Sequence, residues 1–338
     1  MSRFSLISAL FMGLATLAPA YAAEVNLYSA RQENLIKPLL DRFTEETGIT
    51  VNMVVGNADG LLQRLSSEGR NSLADVLLTV DAGRLYRAQE AGLTQPFQSQ
   101  QLEEAIPATY RDPDGHWYGL SLRARTIMYA KDRVDPAQLT RYEDLADPRW
   151  KQRICIRSSS NIYNQSLVAS LLAAHSEAEV LDWAKGLVSN MARPPAGGDR
   201  DQLKAVAAGQ CDVAVSNTYY LVMMHHSDDP ADRAVAEQIG VLWPNQDGRG
   251  VHVNVSGAAL LQSSKNRDAA IRLIEFLASP ESQRWYAETN GEYPVRPGIT
   301  VSDTLNSWGD FKADSLNLSQ LGQGNAEAVR LMDRAGWR

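Results

Sequence analysis

Short apolar runs alternate along this chain with stretches whose apolar residues recur every three or four positions. Val25–Tyr28, Ile49–Val55 and Ala74–Leu78 read as strands. Leu35–Phe43, the stretch around Leu61, Leu62 and Leu65, and Gly83–Ala91 read as helices, each ending before a glycine at 48, 69 or 92. The alternation predicts an α/β fold with a largely parallel sheet. Trp117–Tyr129 is a long extended run, expected to be a strand crossing from one lobe to another. A loop with one short helix is expected as far as Trp150. Ile154–Ile156 then opens a second α/β unit, with helices to Leu172, over 178–191 and over 201–208, and a strand at Cys211–Val215. Val241–Pro244 and His252–Leu260 read as a return to the first lobe, followed by helices over 269–277 and 281–289. The pattern therefore divides the chain into 23–123 with 250–300, and 124–249 with 301–338. Two lobes joined by strand-like crossings leave a cleft between them, where ligand sites concentrate.

The first 22 residues fall outside this pattern. Arg3 gives a positive start, Phe4–Leu17 is mostly apolar, and Ala20-Tyr21-Ala22 is a small-x-small site, so an export leader is expected over 1–22. No later stretch is apolar for long enough to span a bilayer. A soluble, periplasmic protein is the expectation. Composition adds little: 44% hydrophobic and 22% charged residues suit an ordinary globular chain. The formal charge of −7, with no basic stripe, argues against a nucleic-acid partner. Cys155 and Cys211 sit at or beside strands of the same unit. In an oxidising compartment they suit a disulfide between neighbouring strands; two buried thiols are the alternative.

The candidate chemistry lies in CDVAVSNTYYLVMM. A short strand turns polar and delivers two adjacent phenols, Tyr219 and Tyr220, ahead of an apolar run. Tyr163 stands just after the strand that ends at Ile156. If both strands share a parallel sheet, the three phenols converge on one edge of it. Fe³⁺ is a hard, highly charged ion that ionises a phenol near neutral pH, and three phenolates neutralise it. The competing reading of such a pair is ordinary packing, for which Tyr is well suited.

Ser158, Ser159 and their neighbours precede a helix, so they suit an anion seat assisted by Asn217, or a simple cap. Arg123 and Arg125 alternate on a strand and face one side, where one could fix an anion; a surface or interlobe ion pair is the alternative. Glu33 is the candidate carboxylate from the opposite lobe, or else a first-turn acid of a helix, and Asp81 is a weaker candidate of the same kind. Adjacent His225 and His226 point apart on a helix, so they read as surface residues. No zinc-protease, nucleophile-elbow, phosphate-loop or dinucleotide motif is present, which argues against an enzyme.

The stretches VNLYSARQE, SLADVLLTVDAG, LSLRARTIMYAK, ICIRSSSNIYNQSLVAS and GQCDVAVSNTYY resemble those of periplasmic ferric-iron-binding proteins, the substrate-binding components of iron ABC transporters. The likeness covers essentially the whole chain after the leader. It implies a two-lobed, Venus-flytrap binding fold that captures Fe³⁺ without catalysis, acts as a monomer and docks to an inner-membrane permease. It implies Tyr163, Tyr219 and Tyr220 as ligands. Ser158, Ser159, Asn217 and Arg123 match the region that holds a synergistic anion such as carbonate. It also implies a Cys155–Cys211 disulfide. Where the family often has a histidine, and some members a further tyrosine, this chain has Gln32 and Glu33. Where some members have a glutamate after the third strand, it has Val80. The first-lobe ligand is then absent, replaced by Glu33, or supplied by carbonate, citrate or water. A same-fold binder of an organic solute, such as a polyamine or thiamine, is the rival reading.

Overall fold

The computed structural model describes residues 23–338; the expected leader lies outside the described residues. In the first lobe, β1 (Glu24–Ser29), α1 (Lys37–Thr47), β2 (Thr50–Val55), α2 (Ala58–Glu68), β3 (Val76–Val80), α3 (Ala82–Glu90) and α4 (Gln100–Ala105) follow the alternation read from the sequence. The helices end where expected because Gly48, Gly69 and Gly92 adopt positive φ, which releases the chain from the helical path. β1 pairs in parallel with β2 on one side and β3 on the other.

β4 (Tyr118–Ala130) joins the two lobes. As far as Ala124 it pairs antiparallel with β8 (Val253–Leu260), which in turn pairs with β3. From Arg125 onward it changes partners. One edge bonds to β6 (Val213–Asn217) and the other to β7 (Ile239–Leu242). β5 (Ile154–Cys155) adds to β6 in parallel. The expected return to the first lobe at Val241–Pro244 therefore needs correction. β7 completes the second-lobe sheet by pairing with Ile127–Ala130, and β8 makes the return. A four-residue apolar run carries no sign of which edge it will join; long-range pairing decides it.

In the second lobe α5 (Ile162–Leu172), α6 (Glu177–Asn190), α7 (Asp199–Ala207), α8 (Thr218–His225) and α9 (Pro230–Gln238) pack around the sheet. The connection from 131 to 150 holds three short 3₁₀ turns instead of one helix, the first and third opened by an Asp cap followed by Pro, and the segment is pinned by buried Tyr142, Leu145 and Trp150. The chain ends with α10 (Arg267–Leu277), α11 (Pro280–Thr289), β9 (Tyr293–Pro294), α12 (Asp303–Asn306), α13 (Ser319–Gln323) and α14 (Asn325–Arg334). β9 pairs with Ser121 and Leu122 of β4. α13 packs on both α3 and α5, so it bridges the lobes. Among the described residues no helix is long and apolar enough to cross a membrane.

Candidate metal centre

β6 and α8 meet with no intervening loop. Asn217 ends the strand and Thr218 begins the helix, so Tyr219 and Tyr220 occupy the first helical turn and not a strand end. Their rings lie 4.2 Å apart, tilted by 34°. Tyr163 occupies the first turn of α5, where the Asn161 side chain accepts a hydrogen bond from its N–H at 3.1 Å. The cap is thus Asn161 and not one of the serines. The Tyr163 and Tyr219 hydroxyls approach to 3.5 Å. All three phenols line a cleft of about 300 Å³, which is faced from the first lobe by Arg31, Gln32, Val80 and Glu292.

Arg123 lies beneath the phenols, buried, with its guanidinium 5.1 Å from the Tyr219 ring centroid. It pairs with Glu292 at 3.1 Å and donates to the Ser256 hydroxyl. Arg31 pairs with the same carboxylate at 2.6 Å. Burial opposes the ionised form of Glu292, but Arg31 and Arg123 outweigh it and hold the carboxyl below its ordinary range. Burial, then the neighbouring phenols, pushes Tyr219 well above the usual phenol value against the pull of Arg123. Burial and Tyr163 push Tyr220 up to about 12. Without a cation in the cleft both phenols stay protonated at neutral pH.

Arg125 does not reach the cleft lining. It donates to the Asn164 Oδ1 at 2.6 Å and the Asn217 Oδ1 at 3.2 Å, and pairs with Asp199 at 3.3 Å. It thereby joins α5, the end of β6 and α7 behind the tyrosines.

Several expected site residues lie elsewhere. Glu33 is exposed and lines a surface groove with Lys37 and Asp41; the cleft is met by its neighbours Arg31 and Gln32. The reason is the 3₁₀ turn at Glu33–Leu35, which sends successive side chains in different directions. Ser158 and Ser159 do not line the cleft. The Ser158 hydroxyl is engaged with Ser160 at 2.9 Å, and the Ser159 carbonyl accepts from Gln165 at 3.0 Å. Asn217 is buried behind the phenols, its carbonyl oxygen taken by Arg125. Asp81 is buried as well and lies outside the lining. His225 is half-buried near Trp308, and His226 bonds Thr304 at 2.8 Å.

Glu292 and Arg200 are cleft residues that sequence reasoning missed. Glu292 arrives because the β9 pairing draws its segment onto β4, more than 160 positions away in the chain; no local pattern signals that. Arg200, in the first turn of α7, could have been suspected as a cation beside an acidic helix start. Among the described residues no group of three His, Cys, Asp or Glu side chains could hold a metal. The disulfide that the resemblance implied is present: Cys155 and Cys211 are bonded, tying β5 to the entry of β6.

Two α/β lobes with a polar cleft between them define a solute-binding protein. This chain belongs to the bacterial extracellular solute-binding protein family, whose profile matches residues 71–313. Iron uptake protein A1 of Synechocystis sp. is 51% identical over 320 residues, 95% of this chain and 89% of that protein. The Trichodesmium protein IdiA (FutA), solved in complex with iron and citrate, superposes with a TM-score of 0.91 at 51% identity, over 94% of this chain and 100% of that one. Mannheimia haemolytica ferric iron-binding protein A, solved in an open conformation, superposes at 0.87 with 40% identity, over 94% and 99% of the two chains.

Proposed function

We infer that this chain captures ferric iron in the periplasm and delivers it to an ABC-type permease, with Tyr163, Tyr219 and Tyr220 as the protein ligands. The observation that carries the reading is the meeting of three phenols in one cleft, two of their hydroxyls 3.5 Å apart. The relatives named for iron uptake and solved with iron and citrate support the cargo. On this reading 23–123 with 250–300 form the first lobe and 124–249 with 301–338 the second; the partner change on β4 after Ala124 supports that division.

Charge suggests how the ion is held. Three phenolates cancel Fe³⁺. The cleft also carries Arg31, Arg123 and Arg200 against Glu292, three positive charges against one negative, a balance of +2. An anion such as carbonate or citrate entering with the iron offsets that excess and supplies oxygen ligands from the first-lobe side, where Gln32 and Arg31 face the phenols and Glu33 does not. Arg123 and Gln32 are its suited contacts. Binding must displace phenol protons, so acid favours release, as does reduction to Fe²⁺, which binds phenolate less strongly. The organic-solute rival is weaker, because Glu292, the carboxylate in the cleft lining, is already committed to two arginines.

Titration of the purified protein with ferric citrate should raise a visible phenolate-to-iron charge-transfer band. Tyr163→Phe combined with Tyr219→Phe should abolish it with the fold intact, as judged by circular dichroism. Full colour in that double variant would refute the ligand assignment.

A further inference from the structure

Asp81 stands where the first-lobe sheet meets the helix that carries Tyr163. Its backbone has φ 80° and ψ 124°, a conformation unfavourable for an L-residue and persistent only where surroundings enforce it. Three donors converge on its buried carboxylate. The Gly83 N–H donates to Oδ1 at 2.9 Å and so caps α3. The Asn254 amide donates to Oδ2 at 2.8 Å from β8. The third donor comes from the other lobe: the Ser166 hydroxyl of α5 reaches Oδ1 at 2.7 Å.

Each partner has a place in the binding geometry. Ser166 is three residues beyond Tyr163, on the same face of α5. Asn254 is the register partner of Arg123, next to the point where β4 passes from one lobe to the other. Its own carbonyl oxygen accepts from Ala82 N and Val255 N, both at 2.8 Å, which fixes Asp81 to the crossing strands. Val80, the residue before Asp81, lines the cleft. Glycine at residue 83 suits the close approach of α3 to α5: a Cβ there would lie 3.1 Å from Asp81 Oδ1 and 3.3 Å from Ile162 Cδ1, both tighter than most such contacts.

We propose that Asp81 is a positioning residue for the iron site: through Ser166 it ties the first-lobe sheet to the helix bearing Tyr163 and governs how long the cleft stays shut over its cargo. This rests on the ferric reading above. The contact is buried, so its loss is worth more than that of a surface hydrogen bond. Asp81 itself is not a cleft-lining residue, so its carboxylate acts on the iron site through its partners, Ser166 of α5 above all.

The test is iron release from the full protein, loaded with ferric citrate and challenged with excess EDTA, followed as decay of the visible band. Ser166→Ala should speed release roughly tenfold. The band maximum should not move, and the iron-free protein should melt close to wild type. Ser166→Thr, which keeps a hydroxyl, should restore slow release. Asp81→Ala should also release faster, and the double variant no faster than Asp81→Ala alone, because removing the carboxylate already removes the acceptor of the Ser166 hydroxyl. If Asp81→Ala fails to fold, the Ser166 pair decides alone. Unchanged release in Ser166→Ala with the band intact overturns the proposal, as does a double variant whose effects simply multiply. A wild-type protein that never develops the band overturns the ferric reading and this inference together.

Discussion

Glu292 answers to two guanidinium groups at once, and that fixes the floor of the cleft. Arg31 comes from the loop after β1, Arg123 from β4, and the carboxylate sits between them, all three buried. A buried cation left without its anion is costly, because little water can solvate it. Glu292→Gln should therefore destabilise the protein by about 3 kcal/mol, seen as a lower urea midpoint at unchanged slope. A loss as small as that of a surface ion pair, below about 1 kcal/mol, would show that the arginines are held some other way. Residue chemistry also separates the two strand arginines. Arg123 lies under Tyr219, whereas Arg125 is spent on Asn164, Asn217 and Asp199. Alternation on a strand puts both on one face but does not say which meets the cleft.

At the scale of elements, the tyrosines depend on two neighbouring strand ends. β5 leads through a polar loop to Tyr163, and β6 leads directly to Tyr219 and Tyr220. Cys155 and Cys211 each stand eight residues before a tyrosine (163 − 155 and 219 − 211), so the disulfide joins the two arms at the same sequence separation from their tyrosines. It closes a sequence separation of 56 residues, for which chain-entropy reasoning gives about 4 kcal/mol. Cys155→Ala with Cys211→Ala should lose about that much in chemical denaturation. The variant should still develop the ferric band, but at higher ferric citrate, because the two arms are no longer clamped. Equal titration curves for variant and wild type would limit the disulfide to overall stability.

For the whole molecule, pH acts through His252. It is buried just before β8, with its ring's proton affinity held well below the ordinary imidazole value, first by burial and then by Arg249 and Arg125. The folded protein keeps this ring neutral, while the unfolded chain protonates it below about pH 6.5. More protons bound to the unfolded state means stability falls as pH drops from about 6.5, by up to about 1.4 kcal/mol per unit until the folded value is reached. Denaturation curves from pH 7.5 to 5 should show that slope. His252→Asn should flatten most of it; His225, also depressed by burial, acts in the same direction. An identical slope in His252→Asn would assign the pH sensitivity elsewhere.

Local order was legible in the amino-acid sequence because it follows from residue spacing. The first-lobe strands and helices, the long crossing strand and the glycine stops all come from near neighbours in the chain. The tyrosines, too, were recognisable from their place beside two apolar strands. What lay outside sequence reasoning depends on contacts between distant residues. Glu292 enters the cleft only because β9 pairs with β4, and β7 joins the second lobe only because an edge of β4 is open to it. Glu33 turns away on a 3₁₀ turn, and the side-chain oxygen of Asn217 is taken by an arginine one strand over. Periodicity records which residues must be buried; only the packed chain decides which polar groups that burial brings face to face.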